Sequence, residues 1–562
     1  MRPRRRLLFA ASLLVATALL PAQSGDLRDR IELLQADLRD LGRRYDVPMS
    51  PERRARMFTR WQQERRELDA LDFAALGHDA RIEWLLLDNH VRRSLHALQR
   101  EAGREAELAP LLPFAPAIVQ LGEARRRLED VDAKEAAATV SGIASAAVRV
   151  REALAAGSLP AMDAALPARG ATMLGALLRT LRAWFDHHDG YDPQFAWWVR
   201  APQAEAIAAL TALQNALQAA APAGEDRSLI GDPIGEEALR AELAHEWIPY
   251  APSELVAIAE REFAWCDAEM AAAATAMGCQ DWREALERTK QRHRPPGEQP
   301  ALIRELAHEA IDFLEQRDLI TIPPLAKECW RMSMMSREGQ RTNPFFLGGE
   351  TIHVSFPTDA MAHIEKLQAL RSNNVHFCRA TVHHELIPGH WLQQYSQARH
   401  RPWREMFDTP FWIEGWALYW EMRLYDLGLG KSPEDKVGML YWRKHRCARI
   451  VFSLNFHLGR WTGPQCVDYL VDRVGHERAA AEGEVRRSFG GLYGPLYQAA
   501  YMLGGLQLRA LHHERVTVGG SSEKAFHDAV LRQNSIPIAV LRAALADREV
   551  PPALPAWRFA DP

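Results

Sequence analysis

Cysteine is scarce in this chain: six among 562 residues, at 266, 279, 329, 378, 447 and 466, with no CxxC pair. That excludes a disulfide-built scaffold and a structural Cys-zinc knuckle, although export would permit one or two bridges. Basic residues are not in excess. Lys and Arg number 69 against 73 Asp and Glu, a formal net charge of -4, so the electrostatic footprint of a nucleic-acid binder is missing. Beyond the first twenty residues no apolar run is long enough to cross a bilayer. There is no internal repeat, and no low-complexity tract beyond Ala-rich helix. What remains is an ordinary globular balance, 47% hydrophobic and 25% charged, in a chain too long for one ordinary core.

The N-terminus reads as a targeting segment. Arg2, Arg4, Arg5 and Arg6 precede an apolar run from Leu7 to Leu20, and Pro21-Ala22 supplies small residues for cleavage. The expectation is a signal peptide over 1–22 and an exported protein, periplasmic or extracellular, with no stable membrane span after cleavage. The alternative is an uncleaved anchor. No cysteine sits near the cleavage site to carry a lipid.

Apolar residues recur at three- and four-residue spacing in Asp26–Leu41 and Glu123–Ala155, predicting amphipathic helices. Pro and Gly interrupt the pattern at Leu108–Pro116, at Ala219–Gly235 and at His293–Pro300. Thr351-Ile-His-Val-Ser-Phe356 alternates, is rich in β-branched residues, and lies between Gly348-Gly349 and Pro357, which predicts a strand. Helix is expected again from about 372 to the end. The fold class is therefore mainly α with a small β element. The expected divisions are an N-terminal helical region over 23–225, a helical linker or subdomain over 226–320, and a catalytic region over 321–562.

The dipeptide His-Glu occurs five times, and only His384-Glu385 is followed within one or two turns by another histidine, His390. The other four read as solvated helix residues. Hydrolysis at zinc needs imidazole ligands, a third donor, an open position for water and a carboxylate to take the water's proton. In HExxH the two histidines lie four residues apart on one helical face. Here they are six apart, about 240° around a regular helix, so an unbroken helix would point the rings away from each other. Pro388 and Gly389 lie between them. Proline disrupts the helical ladder and glycine admits backbone angles closed to other residues, so a distortion at Ile387–Gly389 is expected, with helix before it through Glu385 and after it through about Ser396.

A second helix is expected to start with Thr409 as cap and Pro410 as its first residue, and to stop at Gly428. Glu414 and Glu421 are seven apart and share a face with Leu418 and Tyr425. Two acids among so many aromatic residues need a partner if buried, and a metal or a histidine would supply one. A solvated edge is the other reading, and for Glu421 the two weigh equally.

These residues resemble a known family. The run His384-Glu-Leu-Ile-Pro-Gly-His390-Trp-Leu-Gln393 matches the HExxPGHxLQ of the bacterial domain-of-unknown-function family eight-eight-five, which is grouped with helical zincin metallopeptidases. The likeness continues in Glu414-Gly-Trp-Ala-Leu-Tyr419, between Arg446 and His457, in Glu484-Val-Arg486, from Tyr501 to Arg509, and in Phe526-His-Asp528. It implies a zincin-like fold, zinc held by His384, His390 and Glu414, Glu385 as general base, and a peptide substrate. His383 is expected outside the ligand set.

Zincins place a donor over the developing oxyanion. The candidates are Tyr501 and His457, with Arg509 as a clamp for a substrate carboxylate. His187-His188 reads as a polar loop and Phe195–Val199 as core. The function expected is peptide-bond hydrolysis, set against two alternatives: a non-catalytic peptide-binding protein on the same scaffold, and a metal-dependent hydrolase of other amides or esters. Nucleic acid is not an expected partner, and the sequence leaves the oligomeric state undetermined.

Overall fold

A computed structural model describes residues 27–561 apart from 161, 164, 221–228, 343–345, 347 and 492. The signal segment, and most of the first half of the Ala219–Gly235 stretch, lie outside the described residues.

The described residues are mainly helical, with one two-stranded parallel sheet. The first helix runs Arg28–Arg44, as its periodicity requires. The Glu123–Ala155 stretch forms two helices instead of one, Ala115–Arg127 and Ala133–Ala155. Leu128 stops the first in a left-handed conformation, and the Asp132 carboxylate caps the second by accepting from Lys134 and Glu135 N–H. A compact satellite core forms from Val47 and apolar residues between 108 and 217. Helices before 108 pack instead into the large core, which runs from Leu27 to Trp557.

Within Phe195–Val199 the helical period separates the residues. Phe195 and Val199 are buried, while Trp197 and Trp198 face outward. His187-His188 closes the helix Ala165–His188 and is not a loop. Two of the remaining His-Glu pairs are also less solvated than their composition suggests. Glu246 is buried and accepts from the Thr409 hydroxyl at 2.7 Å, and His476 is buried between Tyr441 and His445.

The expected strand forms but is shorter, Thr351–Val354 (β2), and pairs in parallel with Arg331–Met334 (β1), Met332 opposite Ile352. Ile352 and Val354 turn into the core and His353 turns out, the alternation a half-buried strand imposes.

Six helices contribute side chains to the cleft that holds the two histidines: Val375–Glu385, Pro410–Asp426, Pro433–His457, Tyr497–His512, His390–Gln397 and Arg478–Phe489. Trp412, Trp416 and Trp420 are fully buried along the second of these, each contributing roughly 1.5–3 kcal/mol or more through apolar burial. Where it crosses Tyr497–His512 the backbones touch. A Cβ on Gly415 would lie 2.6 Å from the Gly504 Cα, and one on Gly504 would lie 2.0 Å from the Phe411 carbonyl oxygen. Only glycine permits this approach, and it brings Glu414 beside Tyr497 and Tyr501. No described helix is long and apolar enough to cross a membrane, and all six cysteines are free.

Candidate active site

The segment between the two histidines breaks where expected. Helix Val375–Glu385 ends, a turn follows, and helix His390–Gln397 begins. The Ile387–Pro388 peptide bond is cis. The turn satisfies its own backbone: Gly389 N–H donates to the His383 carbonyl at 3.0 Å, and Leu392 N–H to Leu386 at 3.2 Å, both six residues back. The Trp416 indole N–H donates to the Pro388 carbonyl at 2.8 Å, tying the turn to the neighbouring helix. The widened turn swings His390 round, and its ring centroid lies 4.8 Å from that of His384.

Helix Pro410–Asp426 brings both acids to these rings. It begins where its cap predicts, with the Thr409 hydroxyl accepting from Phe411 N–H. The His384 Nδ1–H donates to Glu421 Oε1 at 2.6 Å. The His390 Nδ1–H donates to the Gln393 side-chain oxygen at 3.3 Å, and Gln393 in turn is held by the Ile413 carbonyl at 3.1 Å. With both Nδ1 atoms engaged, both Nε2 atoms face Glu414 Oε2, at 3.7 Å from His384 and 3.2 Å from His390. These three donors lie within 4.8 Å of one another.

Apart from the two imidazoles, the buried Glu414 Oε2 meets no other protein group among the described residues, while the Tyr497 hydroxyl donates to the other oxygen, Oε1. Two donors of one tetrahedral zinc lie about 3.3 Å apart, and the separations here fit that edge. Charge agrees with geometry. Burial opposes protonation of His384, but Glu414 and Glu421 outweigh it and raise its pKa to about 9; burial also opposes protonation of His390, and Glu414, with Glu385, outweighs it and raises its pKa. Burial likewise opposes ionisation of Glu414, and the imidazoles outweigh it, holding its pKa well below the usual carboxylate range. Such a site favours positive charge, and one divalent cation can supply it without protons.

Glu385 lies beside this cluster in the same cleft, nearly buried, and burial raises its pKa. The backbone at Gly348 lies against it, so close that a Cβ there would fall 2.1 Å from Glu385 Oε2. The cleft has a volume of about 380 Å³. Tyr501 lines it, its ring parallel to that of His384 at 6.2 Å, and burial raises its phenol to about 12.

Residues 37–545 match the family described as bacterial protein of unknown function (DUF885). The chain belongs to DUF885. No curated protein matches it. Among solved structures, the DUF885 chain is similar to a candidate lipoprotein of unknown function from Shewanella oneidensis. The identity is 17%, the TM-score 0.69, and the match covers 92% of this chain and 99% of that one. A candidate lipoprotein from Colwellia psychrerythraea matches with 17% identity and a TM-score of 0.50, over 73% of this chain and 74% of that one. At this identity the likeness speaks to the fold alone.

Two expected residues do not reach the cleft. His457 ends its helix eleven residues past Arg446, a rise of about 16 Å, and is buried against Phe456 and Phe489 with its pKa lowered to about 4. Arg509 is eight residues past Tyr501, about 12 Å along the helix. It is largely exposed, 3.6 Å from Asp426. His383 is buried but is not among the converging donors.

Sequence reasoning missed Tyr497, Arg446, Arg449 and Arg487, all of which line the cleft. The spacing of Trp442, Arg446 and Arg449 marks one helical face, but nothing local told that face from a solvated one. A second group, His512, Glu523 and His527, also brings three donors together. It carries internal partners: Tyr419 donates to His527 at 2.7 Å, and Arg423 pairs with Glu523.

Proposed function

We propose that this DUF885 chain is a zinc-dependent hydrolase on a zincin-like fold that cleaves peptide bonds of short or unfolded peptides. One observation carries the reading: two imidazole Nε2 atoms and a carboxylate oxygen that no other protein group meets converge beside a buried glutamate outside that set of three. His384, His390 and Glu414 would hold the ion. When bound, zinc supplies a Lewis acid that polarises a carbonyl and acidifies water. The protein's residues do the rest. Glu421 and Gln393 fix the two imidazole tautomers and orientations, as carboxylate and amide partners do for metal-ligating histidines. Glu385 takes a proton at its carboxylate and returns it to the leaving amine, helped by its raised pKa. Tyr501, kept neutral by burial, would donate a hydrogen bond from its phenol to a developing oxyanion. The helical walls limit the cleft to a size typical of small-ligand sites. The Arg-rich N-terminus followed by an apolar run supports an exported protein, and the relatives described as candidate lipoproteins are consistent with that reading.

The test is elemental analysis of purified protein together with mass-spectrometric mapping of a digested peptide library. One zinc per chain is expected, lost in His384→Ala and Glu414→Ala. Less than about a tenth of an equivalent after zinc addition would overturn the reading, since a two-His, one-Glu site binds zinc tightly.

Tyr501→Phe is expected to lower kcat by roughly 10²–10³ with little change in KM, the effect of losing a donor that acts only in the transition state. A normal kcat with a lowered Tm would make Tyr501 a packing residue.

A further inference from the structure

The cleft wall beyond the metal ligands is unusually basic for a buried surface. Arg446 and Arg449 project from one helix and Arg487 from the helix Arg478–Phe489, and all three line the cavity. The guanidinium carbons of Arg446 and Arg449 lie 4.6 and 4.4 Å from the Tyr501 ring centroid, and that of Arg487 lies 5.0 Å from Tyr493. Arg449 is 2% exposed and Arg446 5%.

Two of these charges are matched. Arg449 pairs with Glu484 at 2.6 Å, and Arg446 reaches Glu421 at 3.4 Å. Arg487 has no carboxylate within 4.0 Å among the described residues; Glu484 acts on it only at longer range. The Nε atoms of Arg446 and Arg487 and the Nη1 of Arg449 are buried without a protein hydrogen-bond partner. Arg487 as a whole is half-buried, but its Nε is shut off from solvent, and an enclosed donor left unused is costly unless an acceptor meets it.

Resting on the reading of this cleft as a peptide hydrolase's, we propose that Arg487, backed by Arg449 and Arg446, binds the free C-terminal carboxylate of a short peptide, which makes the enzyme an exopeptidase acting from the C-terminal end. The charge count selects a monoanion, because one guanidinium is left over after the two internal pairs. The planar fork of arginine suits a carboxylate in particular. The reach is also appropriate. One aromatic ring, Tyr501, lies between the Arg446 and Arg449 guanidiniums and His384, a span that two or three residues of extended chain cover at about 3.3–3.6 Å each, and Arg487 lines the same cleft. The clamp expected at Arg509 is thus supplied from two other helices.

The experiment measures binding, so turnover is not needed. Calorimetric titration of zinc-treated Glu385→Gln protein uses three probes: acetyl-Ala-Ala-Ala as free acid, the same peptide as C-terminal amide, and acetyl-Ala-Ala-Glu-amide. The free acid is expected to bind at least about tenfold more tightly than its amide, the loss that follows from leaving a buried charge unpaired. Arg487→Gln should erase that preference while leaving amide binding unchanged, and Arg487→Lys should retain part of it. The comparison of acid and amide on protein with Arg487 intact needs no substitution there and so does not depend on how the Arg487 variants fold. Tight binding of the glutamyl amide alone would keep the carboxylate site but overturn its assignment to a C-terminus, giving it to an acidic side chain. Equal binding of acid and amide, or no binding of any probe, overturns the proposal. Zinc content and peptide mapping are scored separately, so a protein that binds the acid selectively but holds no zinc would sink the hydrolase reading and leave the carboxylate site standing.

Discussion

Gly389→Val, and even Gly389→Ala, should abolish zinc binding while leaving most of the helix content intact. A Cβ at this position would lie 1.8 Å from the His384 carbonyl oxygen, 2.4 Å from its carbonyl carbon and 2.6 Å from the His383 carbonyl oxygen. All three atoms are backbone, at the end of the helix that carries His384, so no side-chain rotation relieves the clash. The same residue donates the N–H that closes the turn onto His383. Relief therefore requires opening the turn, and opening it moves His390, the first residue of the next helix, away from His384 Nε2. The loss should appear as zinc content near zero by elemental analysis, with a far-UV circular dichroism spectrum close to that of the parent. The large core is spread over many helices and does not depend on this turn. Full zinc content in the Gly389→Val variant would show that His390 is not a ligand, or that the turn can be rebuilt around a side chain.

Glu385→Gln should retain zinc and lose turnover by about 10²–10⁴, the range for removing a positioned proton-transfer group. Glutamine is nearly isosteric, and Glu385 accepts no hydrogen bond from any of the three proposed metal-binding side chains, so their geometry has no reason to change. What is lost is the ability to take a proton. Burial makes this carboxylate more basic than an exposed one, which suits it to the task near neutral pH. The comparison requires zinc content and steady-state rate on the same preparation. Parent rates with unchanged zinc would remove Glu385 from this role.

These outcomes bear on how much of the protein is written locally. The helix start at Thr409-Pro410 is a local event: it needs only a side-chain acceptor and a free N–H within three residues, and it forms as its sequence requires. The break at Pro388-Gly389 is equally local, because the missing N–H and missing Cβ act on the turn that contains them. The pairing of Glu414 and Glu421 on one face follows from helical period alone. So the sequence by itself determined a helical protein, a broken helix between two histidines, and an acid pair on a facing helix.

The tertiary structure decided which partners those groups meet. Glu421, undecided from sequence, accepts from His384 Nδ1 because the Trp416 indole ties the turn after His384 to the helix that carries Glu421. Arg509 and His457 carry the right chemistry on the right helices, but they lie two to three turns too far along them. Arg449 and Arg487, unremarkable in sequence, meet in the cleft because Glu484 joins their helices. A side chain's chemical type and helical face are set by its neighbours within a few residues. The partner across the cleft is set by contacts dozens to hundreds of residues away in sequence, which no local pattern encodes.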